Sequence, residues 1–237
     1  WRFQMSHGGI NSTPAIHGDK LIAIHGKENI DDTGRGRMIA IDLKKAFASY
    51  QAARAKDDFR PPLLLDRSHE LWRNNDLSMF TSSPVIVDDR IYQVTASGEL
   101  FCLDVDTGRN LWHEKLGADQ LHASPLFADG KLYIPTWHDG FYIIKPTDEG
   151  PQILDKVELD GLCIGSPSLW KGRIYLHTTS RLYCFGRKGG APPPPEVPQR
   201  AVRIKPTSPA RLQIVPSEIL LRPGQKVGFS LRAQASQ

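Results

Sequence analysis

Eight histidines and three cysteines are the side chains of this 237-residue chain best suited to metal ligation or proton transfer. His7 and His122 each precede a Ser/Thr-Pro step, and His138 follows Trp137 in Thr136-Trp137-His138-Asp139-Gly140. No pair of histidines has the HxH or HExxH spacing that brings two imidazoles to one ion. His17, His25 and His177 read as ordinary hydrogen-bonding residues, and His69 and His113 as solvated strand ends. Cys102, Cys163 and Cys184 form neither a CxxC nor an adjacent pair, so neither a zinc site nor a haem attachment site is expected. Cys102 and Cys184 read instead as small buried hydrophobes. Asp31-Asp32-Thr33-Gly34 has the opening of a calcium loop, without the oxygen ligands at alternate positions or the closing Glu. No residue receives a catalytic or metal-binding assignment.

The elements that would position these residues repeat. A Ser/Thr-Pro step, an apolar run, a two-residue polar turn, a basic residue and a second apolar run recur from Thr13-Pro14, Ser83-Pro84, Ser124-Pro125 and Ser166-Pro167. The last three prolines are 41 and 42 residues apart. A period of about 40 residues with several short strands per unit predicts an all-β fold, a β-propeller. The turns are Gly18-Asp19, Asp88-Asp89, Asp129-Gly130 and Lys171-Gly172, rich in residues that accept positive φ. Lys20, Arg90, Lys131 and Arg173 follow them, one basic residue per hairpin, as solvated strand ends. A third strand, Leu100–Leu103 in the second copy, leads through Asp104-Val105-Asp106-Thr107-Gly108 to a fourth strand carrying Trp112. An indole there can bury a large area between blades. Trp112 and Trp72 precede Pro125 and Pro84 by 13 and 12 residues; Trp1 precedes Pro14 by 13. Trp1 therefore reads as the closing residue of a further blade, and Leu154 as the third copy's counterpart. In a propeller the connection into a blade's inner strand lies close to the central channel. That makes His7 and His122 channel candidates, and Trp137 and His138 rim candidates.

Gly98 through Trp112 follows the pattern Gly-x-Leu-aromatic-x-Leu-Asp-x-x-Thr-Gly-x-x-x-Trp and resembles the repeat of the PQQ-like (pyrroloquinoline-quinone-type) β-propellers. Ser6–Ile10 and Ile24–Asn29 resemble phrases of uncharacterised bacterial members. The resemblance covers roughly residues 1–186, with Trp1, Pro14, Trp72, Pro84, Asp104, Thr107, Gly108, Trp112, Pro125 and Pro167 as repeat anchors. It implies a periplasmic or extracellular bacterial location. The superfamily includes quinoprotein alcohol dehydrogenases and an outer-membrane-assembly lipoprotein. A dehydrogenase of that type holds PQQ and calcium with acidic and amide side chains, and often a Trp and a vicinal disulfide. This chain has no adjacent cysteines, and Trp137 is a conceivable stacking platform, though its place in the hairpin suits a rim position better. The expectation is a non-catalytic binding or scaffold propeller that takes a protein or polymer ligand on its face or rim. The alternatives are a PQQ-dependent alcohol dehydrogenase whose catalytic residues lie in blades outside this chain, or a sensor ectodomain.

The first copy carries two insertions. One lengthens the hairpin from Gly26 to Arg37. The other follows Asp42 and predicts a helix within 43–60, with Leu43, Phe47 and Tyr50 on one face. Four prolines at 192–195, with Pro198, Pro206 and Pro209, predict an extended spacer over 187–209. Residues 210–237 read as the start of an immunoglobulin-like domain, with strands at Arg211–Val215 and around Val227–Leu231. Further blades are expected upstream of Trp1. Net charge is only +4 with scattered basic residues, which argues against nucleic-acid binding. No stretch approaches the ~20 apolar residues of a membrane span.

Overall fold

The computed structural model describes residues 1–118, 121–138 and 140–186, Gly228, and two strands at Pro209–Val215 and Ser230–Ala235. After the short strand β1 (Arg2–Phe3), the first blade comprises β2 (Ala15–His17), β3 (Lys20–Glu28) and β4 (Arg35–Asp42). It is completed, beyond helix α1 (Leu43–Arg54) and β5 (Leu64–Leu65), by β6 (Glu70–Asn74). The second blade is β7 (Val85–Val87), β8 (Arg90–Val94), β9 (Glu99–Asp104) and β10 (Asn110–Lys115). The third is β11 (Leu126–Ala128), β12 (Lys131–Pro135), β13 (Phe141–Pro146) and β14 (Pro151–Val157). The fourth has three strands among the described residues: β15 (Ser168–Trp170), β16 (Arg173–His177) and β17 (Leu182–Phe185). Within each blade neighbouring strands are antiparallel and in sequence order. This is the architecture of a partial β-propeller.

The inner hairpins turn through left-handed residues. Asp88, Asp129 and Lys171 have φ of 48 to 50°, as the predicted turns require. Alternate residues of each central strand then face opposite neighbours, so the core lies between blades. Ile22, Ile24, Met38, Ala40 and Trp72 of the first blade pack on Ile91, Phe101, Leu103 and Val105 of the second. Tyr92, Val94, Leu100 and Cys102 pack in turn on Leu132, Ile134, Tyr142 and Ile144 of the third.

Three polar devices join consecutive blades. First, the Ser/Thr-Pro steps form a ladder: Thr13 N–H donates to Ser83 Oγ at 2.8 Å, Ser83 N–H to Ser124 Oγ at 2.9 Å, and Ser124 N–H to Ser166 Oγ at 2.8 Å. Second, each fourth-strand indole reaches the carbonyl just beyond the next blade's third strand. Trp72 Nε1 donates to Val105 O at 3.0 Å, and Trp112 Nε1 to Thr147 O at 3.0 Å. Third, Lys20 pairs with Asp106 at 2.8 Å and Arg90 with Asp148 at 3.6 Å. Those basic residues are ties between blades as well as solvated strand ends. The Asp closing the third strand also has a repeated role. Asp104 Oδ1 accepts from the N–H of Asp106 and Thr107 and from the Thr107 hydroxyl, which lowers its pKa. Its counterpart Asp42 accepts from Lys45 N–H at 2.9 Å and so caps α1.

Several sequence expectations shift. The inserted helix ends at Arg54 rather than near 60, because the chain turns and Phe59 folds back edge-on to Tyr50, with ring centroids 5.8 Å apart. Its buried residue is Ala46, and Phe47 is 58% exposed; the small residue lets the helix lie against Ile39 and Ile41. Trp1 is 40% exposed, and β1 after it pairs in parallel with β5 rather than closing a blade. In the third blade Asp155, not Leu154, stands in register where Trp112 stands in the second; Leu154 falls in the bulge. Cys184 is exposed whereas Cys102 is buried, since no further blade lies on that side of β17 among the described residues.

The chain divides into two compact units, Trp1–Pro193 and Pro194–Gln237. In the second, β18 (Pro209–Val215) and β19 (Ser230–Ala235) pair antiparallel. The 187–208 part of the spacer, the Pro223-Gly224 turn, Val227 and Phe229 lie outside the described residues. No helix among the described residues is long and apolar enough to cross a membrane.

Candidate binding face

One face of the first unit is built from the connections entering each blade and from the hairpins joining second to third strands. Ala96 N–H donates to Ser78 O, Leu121 N–H to Thr95 O, and Cys163 N–H to Trp137 O, so hairpin and connection brace each other in turn. On this face the second blade's connection carries Phe80 and Thr81, and the third's carries His122. The third blade's hairpin carries Trp137 and His138.

His122 and Trp137 meet edge to face, with ring centroids 5.2 Å apart and planes at 90°. His138 stacks on Trp137 at 5.1 Å. The Thr81 hydroxyl donates to His122 O at 2.9 Å, and its oxygen lies 3.2 Å from His122 Nδ1. With the hydroxyl proton on the carbonyl, Nδ1–H must be the donor to Thr81 Oγ1. The neutral ring is then the Nδ1–H tautomer, with its acceptor lone pair on Nε2. Among the described residues Trp137 Nε1 is buried without a hydrogen-bond partner. Lys27, from the first blade's long hairpin, sits 5.8 Å over the Phe80 ring. The result is an imidazole–indole cluster on the third blade tied to Thr81 of the second, with a Lys27–Phe80 contact between the first and second blades on the same face.

The structure therefore unites His122, Trp137 and His138 but not His7. His7 Nε2 lies 3.2 Å from Asp32 Oδ1 in its own blade's hairpin, and shares no partner with His122 among the described residues. Phe80, Thr81 and Lys27 gave no sequence signal, because only the fold sets Thr81 beside His122 and Lys27 over Phe80. Asp31 is not available as a calcium ligand. It accepts from Arg37 at 2.9 Å, from Thr33 at 2.7 Å and from Arg73 at 2.6 Å, and these bonds hold its carboxyl well below the usual carboxylate range. Arg37 is 1% exposed and also donates to Asn75. Beside it, burial foremost and then the Arg37 charge push the His25 pKa down. Burial raises the Cys102 thiol to about 11 and raises Cys163 as well, so neither is poised as a nucleophile.

These residues do not fit a quinone–calcium site. Among the described residues no three His, Cys, Asp or Glu side chains cluster as metal ligands. One face of Trp137 is taken by His138, and the carboxylate nearest a calcium-loop pattern is engaged by two arginines.

The family model described as outer membrane protein assembly factor BamB matches residues 64–156. No curated protein matches the sequence. Among solved structures, BamB from Moraxella catarrhalis superposes with a TM-score of 0.52 at 13% identity, covering 77% of this chain and 47% of that one. The chain thus spans about half the length of that structure. The computationally designed Ika4 protein gives a TM-score of 0.54 at 8% identity, covering 78% of this chain and 96% of that one. At such identities the likeness shows the fold alone.

Proposed function

We propose, from the PQQ-like β-propeller repeats that the chain carries, that it is a non-catalytic binding and scaffold module of an exported bacterial protein. Fold likeness does not settle activity, since propellers host many chemistries. The observation that carries the reading is the contrast between two groups of side chains. Asp31 is spent on Arg37 and Arg73, Asp104 on its turn, and Cys102 and Cys163 lie in the core. Partly exposed side chains at the face are Phe80, His122, Trp137 and His138, a surface for packing and hydrogen bonding. Aromatic anchors with adjacent hydrogen-bonding groups suit an extended protein segment or a polysaccharide. The similarity to an outer-membrane assembly factor favours a protein ligand and a periplasmic location.

The test is to screen the chain on arrays of extended peptides and of polysaccharides. Trp137→Ala and His122→Ala, each verified as folded by circular dichroism, should weaken a hit by about tenfold or more. Saturable PQQ binding with calcium-dependent, dye-linked alcohol oxidation would overturn the reading. So would hits indifferent to both substitutions.

A further inference from the structure

The first blade's long hairpin packs on the connection into the second blade, backbone against backbone. A Cβ on Gly26 would stand 2.2 Å from Met79 O, and one on Gly36 would stand 2.6 Å from Leu77 O. Only glycine leaves room for that approach. Leu77 and Met79 are fully buried, with Ile24 and Met38 of the first blade and Ile91 and Leu103 of the second. The same connection continues into Phe80, under the Lys27 ammonium, and Thr81, which contacts His122 at both its carbonyl and its ring. The hairpin thus braces the segment that carries part of the candidate face.

A buried histidine, 2% exposed, sits at the base of this hairpin. The ladder between β3 and β4 runs to the pair His25 and Arg37 and resumes at Glu28 and Arg35, so Gly26 and Lys27 fall in a bulge. Lys27 N–H donates to His25 Nδ1 at 3.2 Å. A ring nitrogen that accepts carries no proton, so the ring is the neutral Nε2–H tautomer. Nε2 is buried facing the Met5 carbonyl and makes no full hydrogen bond among the described residues. Asn29 Oδ1 and Arg37 Nη1 are likewise buried and unpaired among the described residues. Such groups weigh against the closed hairpin.

A second proton on this ring has to enter at Nδ1, N–H against the N–H of Lys27, and it sets a cation beside the buried Arg37 guanidinium. The carboxylates on the elements packed around it have other partners. Glu28 is held by Arg35, Asp31 by Arg37 and Arg73, and Glu70 by Arg73; Asp32 lies 3.2 Å from His7, and Asp76 accepts from Asn110. We propose that His25 makes the hairpin an acid-released latch: protonation breaks the Lys27 bond, lifts Lys27 from Phe80 and frees the segment 77–81 that orients His122. This deepens the binding reading, since it names what regulates the candidate face. Burial foremost, and then the Arg37 charge, lower the pKa of the ring from 6.5, so the latch is closed at neutral pH and opens as pH falls through that lower value.

Amide hydrogen exchange of the full chain, corrected for the intrinsic effect of pH, is followed from about pH 7.5 to about pH 4, while NMR titrates the His25 ring. Residues 26–37 and 77–81 should lose protection about tenfold or more, with the midpoint of the His25 titration, while β12 and β13 keep theirs. His25→Gln, whose side-chain carbonyl can accept from Lys27 N–H at every pH, should stay protected throughout. Should that variant not fold, the match of midpoints in the parent decides alone. A ring that stays neutral to about pH 4 overturns the proposal, as does one that titrates with the hairpin still protected. The same loss in His25→Gln overturns it too, and so does a loss spread evenly over all blades. A loss confined to 26–37 refutes the link to the face. No readout needs a ligand, so a face that binds nothing is told apart from a latch that does not open.

Discussion

Replacing Trp72 by Ala should expose how blades are held together, because its indole is 8% exposed and packs directly on the next blade's turn. A tryptophan buries about 150–250 Å². At about 25 cal/mol per Å² that is roughly 5 kcal/mol, of which the retained methyl keeps a part. The indole hydrogen bond to Val105 O is also lost, leaving a carbonyl unpaired at a cost of ~1 kcal/mol. The expected loss is about 4 kcal/mol, within the range for large-to-small core changes. The packing claim can be isolated with Gly108. A Cβ on Gly108 would come within 2.2 Å of Trp72 Cε3, at a backbone φ of +67°. Gly108→Ala should therefore cost about 1 kcal/mol for the left-handed backbone and about 2 kcal/mol for the clash. In the Trp72→Ala background the clash term vanishes and only the backbone term remains. Urea unfolding of the four proteins, followed by circular dichroism, measures the coupling, expected at about 2 kcal/mol. Additivity within about 0.5 kcal/mol would show that the ring does not rest on the glycine, and would refute the account of blade docking. Trp112, less deeply buried, should cost less than Trp72, at about 2–3 kcal/mol.

Ser124→Ala removes the acceptor of Ser83 N–H and should cost about 1–2 kcal/mol in the same assay, with Ser124→Thr recovering most of it and an unchanged urea midpoint in the Ala variant counting against the ladder. Acid should weaken the fold in two stages. His25 has a folded pKa below 6.5, so the unfolded state takes up the proton first and stability falls as pH drops through that value; Asp31 has a folded pKa below 3.8, so its contribution is lost only as pH falls further. Urea midpoints against pH should show both stages, with His25→Gln removing the upper one and leaving the lower; a variant profile identical to the parent's would rule out the assignment.

The four-fold phrase was enough to place the strands and the left-handed turns, because each is local. Periodicity, turn chemistry and the Asp-x-x-Thr-Gly-to-Trp spacing act over a handful of neighbouring residues. The same local logic erred where packing between blades decides. Cys102 and Cys184 have equivalent positions in their strands, yet one is buried and the other exposed, because only one has a blade beyond it among the described residues. Phe47 has the apolar character of a core residue, but α1 turns Ala46 inward because a methyl permits close approach to Ile39 and Ile41. The candidate face shows the same division. Trp137 and His122 could be singled out by type, but their contact joins a hairpin to a connection, and Thr81, which fixes the His122 tautomer, comes from another blade 41 residues away. Asp31 opens a calcium-loop-like phrase of the sequence, yet is engaged by Arg73, 42 residues distant. Sequence by itself determined which residues make each blade, since those bonds close within one hairpin. Tertiary structure alone decided what each blade presents to the next, and so which side chains are spent on structure and which stay exposed on the candidate face.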